Sequence, residues 1–169
     1  MADMLTFDWR DVKGFEKTLK AIGGVPQKAA TKAAGKGMTV VRKSVRGQVP
    51  VRTGELKRGI IRHGERSKLK GKKVYDLYFD PAKNDIFQRP IKEPGVAGGN
   101  TKNGYAYYPA SMEYGFLTRS RGGGLSYVPG YHFMRRGAED AAPEAANVIR
   151  ETVVQETERI WREKNNQGG

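Results

Sequence analysis

The sequence predicts an α+β fold: a small antiparallel sheet packed by N-terminal helices and a long C-terminal helix, with a long inserted loop. Three observations predict it. Apolar residues recur at three- and four-residue spacing toward both ends of the chain. Between them lie short alternating stretches rich in Val, Tyr and Phe. Residues 82–104 hold prolines, glycines and asparagines with no sustained period. At 169 residues the chain fits a single domain, 1–169, with one modest core.

Taken in order, Trp9, Val12, Phe15 or Glu16, Leu19 and Ile22 place an apolar stripe on a first helix over about residues 8–21. Asp8 and Asp11 in its first turn and Lys17 and Lys20 in its last complement the helix dipole. Gly23-Gly24-Val25-Pro26 ends it, and Pro26 can open the next helix, over about residues 26–47. There Ala29, Ala33, Met38, Val41 and Val45 form a narrow stripe. Ala30, Ala34, Gly35 and Gly37 add little apolar area, so this face predicts close approach, either to the subunit's own sheet or to a neighbouring copy. Lys28, Lys32, Lys36, Arg42, Lys43 and Arg46 cover the rest of the helix.

A corner follows. Pro50 biases Val49 away from helical dihedrals, Thr53 is placed to cap the turn Gly54-Glu55-Leu56-Lys57 through its hydroxyl, and Gly54 permits a tight backbone. Residues 59–66 and 73–79 then read as antiparallel strands joined by the Lys-rich turn 67–72. Tyr75, Leu77 and Phe79 face one side, and Val74, Asp76 and Tyr78 the other. Pro81 closes the second strand. The aperiodic stretch 82–104, with Ile86, Phe87, Pro90 and Pro94, reads as an arm reaching an adjacent subunit, with a loop folded back over its own sheet as the alternative. Tyr105 to Tyr108 is a brief strand closed by Pro109, residues 110–115 suggest one helical turn, and residues 118–124 form a glycine-rich loop tip. From Phe133 to about Glu163 the pattern is helical again, with Ala138, Ala142, Ala145, Val148 or Ile149, Val153, Ile160 and Trp161 on its apolar side. Pro143 marks either a helix start or a kink. Residues 165–169 read as a frayed tail.

The formal charge of +13 is unevenly placed: residues 1–74 hold 19 Lys/Arg against 6 Asp/Glu, and the remainder 12 against 12. A basic half favours DNA phosphates or an acidic partner, with a solvated lysine-rich surface as the plain alternative. No cysteine is present, which excludes disulfides, thiolate metal sites and a Cys nucleophile, and agrees with assembly in a reducing cytoplasm. No run suggests a membrane span, and the first residues lack a basic leader, so a soluble chain without a signal peptide is expected. His63 and His132 are the only histidines and neither has a metal-ligand partner at short spacing. The Gly122-Gly123-Gly124 tract lacks the Gly-Lys-Ser/Thr continuation of a phosphate loop. No catalytic residue, metal site or cofactor is therefore expected. Glu113, among aromatics, reads as a buried tie needing an Arg or backbone amides near the Thr53-Gly54 corner.

Three stretches carry a resemblance. Pro50-Val51-Arg52-Thr53-Gly54-Glu55-Leu56 running to Ile60, Tyr105-Ala106-Tyr107-Tyr108 leading to Met112-Glu113-Tyr114-Gly115, and His132-Phe133-Met134-Arg135-Arg136-Gly137-Ala138 together resemble the signature of the HK97 gp10-like family of tailed-phage morphogenesis proteins. Three positions depart from it: Gly59 stands where Ser is usual, His132 where Pro precedes the Phe, and Gly137 where a second Pro is usual. The resemblance implies a structural virion protein of the phage neck, a head-tail connector or tail completion subunit. It would form a homo-oligomeric ring, six copies rather than twelve, around the DNA channel. Partners would be neck, connector and tail-tube proteins, with passing nonspecific contact to genomic DNA through the basic residues of the second helix. Capping of the tail tube as a terminator is the alternative within that class. A sequence-nonspecific DNA-binding protein is the alternative outside it.

Overall fold

The computed structural model describes residues 24–66, 69–91, 104–119 and 123–166. The first expected helix and residue Pro94 lie outside them. Within them the chain runs α1 (Gln27–Gln48), α2 (Glu55–Arg58), β1 (Ile60–Gly64), β2 (Tyr75–Phe79), a 3-10 turn (Pro81–Lys83), α3 (Asn84–Phe87), β3 (Gln88–Pro90), β4 (Tyr105–Tyr107), α4 (Tyr108–Tyr114), β5 (Gly115–Arg119), β6 (Leu125–Pro129) and α5 (Phe133–Asn166). The class is α+β, as predicted. The sheet is divided into three antiparallel two-stranded ribbons, β1-β2, β3-β4 and β5-β6. Prolines at the ends of β3 and β6 remove ladder donors, and strands of three to five residues leave little edge on which to add another.

The chain groups into two units, one made of Thr39–His63 and Asp76–Pro143, the other of Gly64–Tyr75 with the described residues before Thr39 and after Pro143. The first holds the aromatic core: Val45, Val49, Leu56, Ile60, Phe87 and Phe133 are buried, with Leu77, Phe79, Tyr107 and Met112 packed on them. Phe79 meets Phe87, Tyr107 and Phe133 edge to face at ring distances of 5.8, 6.5 and 6.2 Å, the arrangement ring quadrupoles favour.

The small-residue face of α1 is used by a helix. In the first unit, a Cβ on Gly137 of α5 would lie 2.5 Å from the Val45 Cα of α1. In the second, a Cβ on Gly37 of α1 would lie 2.5 Å from Ile149 Cγ1 of α5, and Ala29 and Ala33 are buried. A Cβ on Gly35 would lie 3.5 Å from the Tyr75 hydroxyl of β2, so the predicted contact with the subunit's own sheet is present beside the helix contact. Over its first turns the buried side of α5 is rotated from the expected one, with Phe133, Gly137 and Ala141 buried and Ala138 and Ala142 exposed; further on the expected side holds, with Ala145 buried and Val148, Val153, Ile160 and Trp161 half-buried. Alanines at either spacing fit a helical period, and Gly137 decides which side meets α1. Pro143 lies inside α5, ten residues after the helix begins at Phe133, and Asn165 and Asn166 extend the helix past the expected frayed end.

The described residues of the stretch read as an arm, 82–91 and 104, are built structure. Asp80 accepts the Ala82 N–H at 3.0 Å to open the 3-10 turn. β3 pairs with β4 in the register Gln88↔Tyr107, Arg89↔Ala106, Pro90↔Tyr105. The Ile91 N–H donates to the Gly104 carbonyl at 2.8 Å, continuing the β3-β4 pairing by one residue. Phe87 is fully buried, so it anchors this subunit's own core; Ile86 is half-buried against that core and Pro90 is exposed. An outward-reaching Ile86-Phe87 pair is thus overturned, because no edge of the core offers an aromatic ring as much apolar contact as its centre. Pro109 sits in the first turn of α4, where its missing N–H costs nothing, and does not merely close a strand.

Candidate functional site: the motif junction and a basic groove

The corner after α1 lies in the first unit. Gly54 takes φ +80°, and its carbonyl accepts the Arg58 N–H at 2.9 Å, which closes the single turn of α2. The Thr53 hydroxyl accepts a long hydrogen bond from the Glu55 N–H at 3.5 Å, one residue outside the capping position, which Gly54 occupies. Glu55 ties the corner to the 3-10 turn through Lys83 at 2.8 Å, and it also pairs with Arg58. Hydrogen bonds first from Lys83 and then from Arg58 hold its carboxyl below the usual glutamate range. Leu56 points into the core. Pro50, Thr53, Gly54, Leu56 and Phe87 line a recess of about 420 Å³.

Glu113 is buried, 5% exposed, and its partners are backbone amides. Its two carboxylate oxygens accept from the N–H groups of Met134 at 2.9 Å and Arg135 at 3.2 Å. These are orphan donors of the first turn of α5, a turn with no acidic residue of its own. The tie is of the expected kind but at another place, since the amides belong to α5 and not to the Thr53-Gly54 corner. The same junction is stitched through the main chain: Tyr131 N–H to Met112 C=O at 2.8 Å and His132 N–H to Glu113 C=O at 3.0 Å. Gly115 has φ +89°, and a Cβ there would collide with the Val128 carbonyl. His132 has φ +49° and Phe133 is fully buried. Burial raises the Tyr107 phenol.

β5 and β6 form a hairpin, Gly115↔Pro129 to Arg119↔Leu125, where a mobile tip alone was expected. Two short apolar stretches either side of the glycines pair across it, Phe116 with Val128 and Leu117 with Tyr127. Tyr114, Phe116, Leu125, Tyr127 and Tyr131, on or beside the hairpin, are exposed. A lone two-stranded ribbon that exposes this many large apolar groups is the pattern of an interaction surface. Of the described residues expected to form an inter-subunit arm, Phe87 is buried, Ile86 half-buried and only Pro90 exposed.

The basic residues of α1 separate. Lys28, Lys32 and Lys36 belong to the second unit, where Lys32 is neutralised by Glu156 at 2.5 Å; Lys28 and Lys36 are exposed. Arg42, Lys43 and Arg46 belong to the first unit, and with Thr39, Gly47 and Lys57 they line a groove of about 480 Å³. Thr39, Arg42, Lys43 and Arg46 share one side of α1 by their spacing, and α2 brings Lys57 to it, a residue the sequence reading did not single out. The Arg42 Nε donates to the Ile60 carbonyl at 3.1 Å, which fixes its side chain. Among the described residues none of the four cations makes an ion pair, and Arg46 Nε is shut from solvent without a hydrogen-bond partner.

Among the described residues no group of His, Asp or Glu is placed to hold a metal, and no helix is long and apolar enough to cross a membrane. His63 is exposed and lies edge to face with Tyr78 at 6.4 Å. No protein-family model, curated protein or solved structure matches the chain.

Proposed function

We propose that this chain is a structural subunit of the head-tail joining region of a tailed phage, assembling as a ring around the DNA path, as its resemblance to the HK97 gp10-like family implies. One observation carries the reading: the three resembling stretches, spread over some ninety residues, close on one junction. Leu56 and Phe133 share a core with Tyr107, Tyr108 and Met112, and Glu113 of the second stretch holds the first turn of the helix that the third stretch opens. Motifs that meet in space form a body whose shape they jointly set.

The exposed aromatic hairpin supports a subunit interface, and takes over the role that the stretch from Ile86 to Pro94 had been expected to fill. A ring of like subunits would cover its apolar side chains and its open strand edges. The test is the mass and shape of the purified protein at low and high salt, by light scattering and negative-stain imaging, alone and with tail-tube or neck components. Rings under any of these conditions support the reading. A monomer under all of them overturns it.

A further inference from the structure

We infer that the groove formed by Arg42, Lys43, Arg46 and Lys57 seats backbone phosphates of duplex DNA. The inference deepens the DNA-channel part of the joining role and rests on that reading for its setting. Its evidence is local. Four cations share one groove with no acid among its lining residues, and like charges at helical i,i+4 spacing, as at Arg42 and Arg46, repel one another. A bound anion relieves that repulsion. An arginine guanidinium also presents its N–H groups as a fork that matches phosphate oxygens.

Spacing selects the ligand. From Thr39 to Arg46 the helix rises about 10 Å, at about 1.5 Å per residue, a length that, laid along the duplex axis, takes in about three phosphates of one strand, at about 3.4 Å of axis each. The lining holds no Asn, Gln or carboxylate to read base edges, so contact is independent of sequence. No aliphatic or aromatic residue lines it to seat the apolar side chains of an acidic peptide. The Lys32 contact that the sequence suggested drops out, since Glu156 already occupies it, and Lys57 takes its place.

The experiment is fluorescence anisotropy of a labelled 20-base-pair duplex of arbitrary sequence titrated with the full chain between 50 and 200 mM salt. About three phosphates give a log-log salt slope near −2.7, and hence an affinity loss of about 40-fold over that range. Lys43→Gln with Lys57→Gln should flatten the slope by about 2, while the equally charged change Lys70→Gln with Lys72→Gln on the exposed β1-β2 turn should leave it. Arg46→Lys keeps the charge and should weaken binding several-fold at constant slope. Equal losses in groove and turn variants would overturn the proposal, as would a chain that ignores DNA while a poly-glutamate peptide binds the groove. Light scattering on the same samples reports ring formation separately, so failure of the groove and failure of the ring are distinguishable.

Discussion

Glu113→Gln tests the junction most directly, because the substitution keeps the shape and removes only the charge. In the native chain two carboxylate oxygens accept two main-chain N–H groups of the α5 first turn, at 2.9 and 3.2 Å. The amide retains one acceptor and turns its NH₂ toward the other N–H, leaving a donor facing a donor. Replacing one charged acceptor by a neutral one costs about 1 kcal/mol, and a partly buried N–H left without a partner about 1–2 more. The first turn of α5, which has no acidic residue of its own, loses the carboxylate that faces it, a contribution of about 0.3–1 kcal/mol. The sum is about 2–4 kcal/mol, or about 4–16 °C in Tm for a chain of this size. Urea unfolding followed by far-ultraviolet circular dichroism measures it. A Glu113→Gln protein within about 0.5 kcal/mol of the parent would refute the capping role and leave Glu113 an incidental buried acid.

Three further outcomes follow from particular contacts. Phe87→Ala should destabilise the isolated protein by about 3–5 kcal/mol, as expected of a fully buried aromatic; an arm that anchors on a neighbour would instead change assembly and leave monomer unfolding alone. Gly137→Ala should lose stability by about 1–3 kcal/mol, because its Cβ meets the Val45 backbone, whereas Gly37→Ala should be close to neutral in the same urea assay, since the half-exposed end of Ile149 can turn aside. The Glu156 carboxyl is held below the usual glutamate range, first by the Lys32 hydrogen bond, against burial, and further by Arg159. Its folded-state value is thus depressed, so its stabilising contribution is present above the ordinary glutamate range and is lost as pH falls through the lowered value. Lys32→Gln should shrink the difference in urea midpoint between pH 7 and pH 3, and an unchanged difference would show that the pair does not contribute.

The three departures from the family-like pattern each have a local reason that the chain itself supplies. A Cβ on Gly59 would run into the Phe87 ring. His132 holds φ +49° and donates its N–H to Glu113, and proline can do neither. Gly137 lets α5 approach the Val45 backbone. These residues fit this core, whatever a related core would accept in their place.

Local signals were enough for much of the fold. The helical period of α1, the stop imposed by Pro50, the alternation of Tyr75, Leu77 and Phe79, and the helical run after Phe133 are all set by neighbours within a few residues, so periodicity and turn chemistry alone determined them. The concentration of cations in the first 74 residues was equally plain, as was the need of Glu113 for partners. Direction and pairing were decided elsewhere. Whether Phe87 turns outward or inward depends on Phe79, Tyr107 and Phe133, which come together only when β2, β4 and α5 do. Which side of α5 is buried depends on the fit of Gly137 to Val45, ninety-two residues away. Glu113 found its amides at a helix start twenty residues later, and Lys57 joined Arg42, Lys43 and Arg46 only because the Pro50 corner folds α2 back beside α1. A residue's period and charge belong to its own stretch of chain, whereas its contacts belong to whatever the rest of the chain places against it.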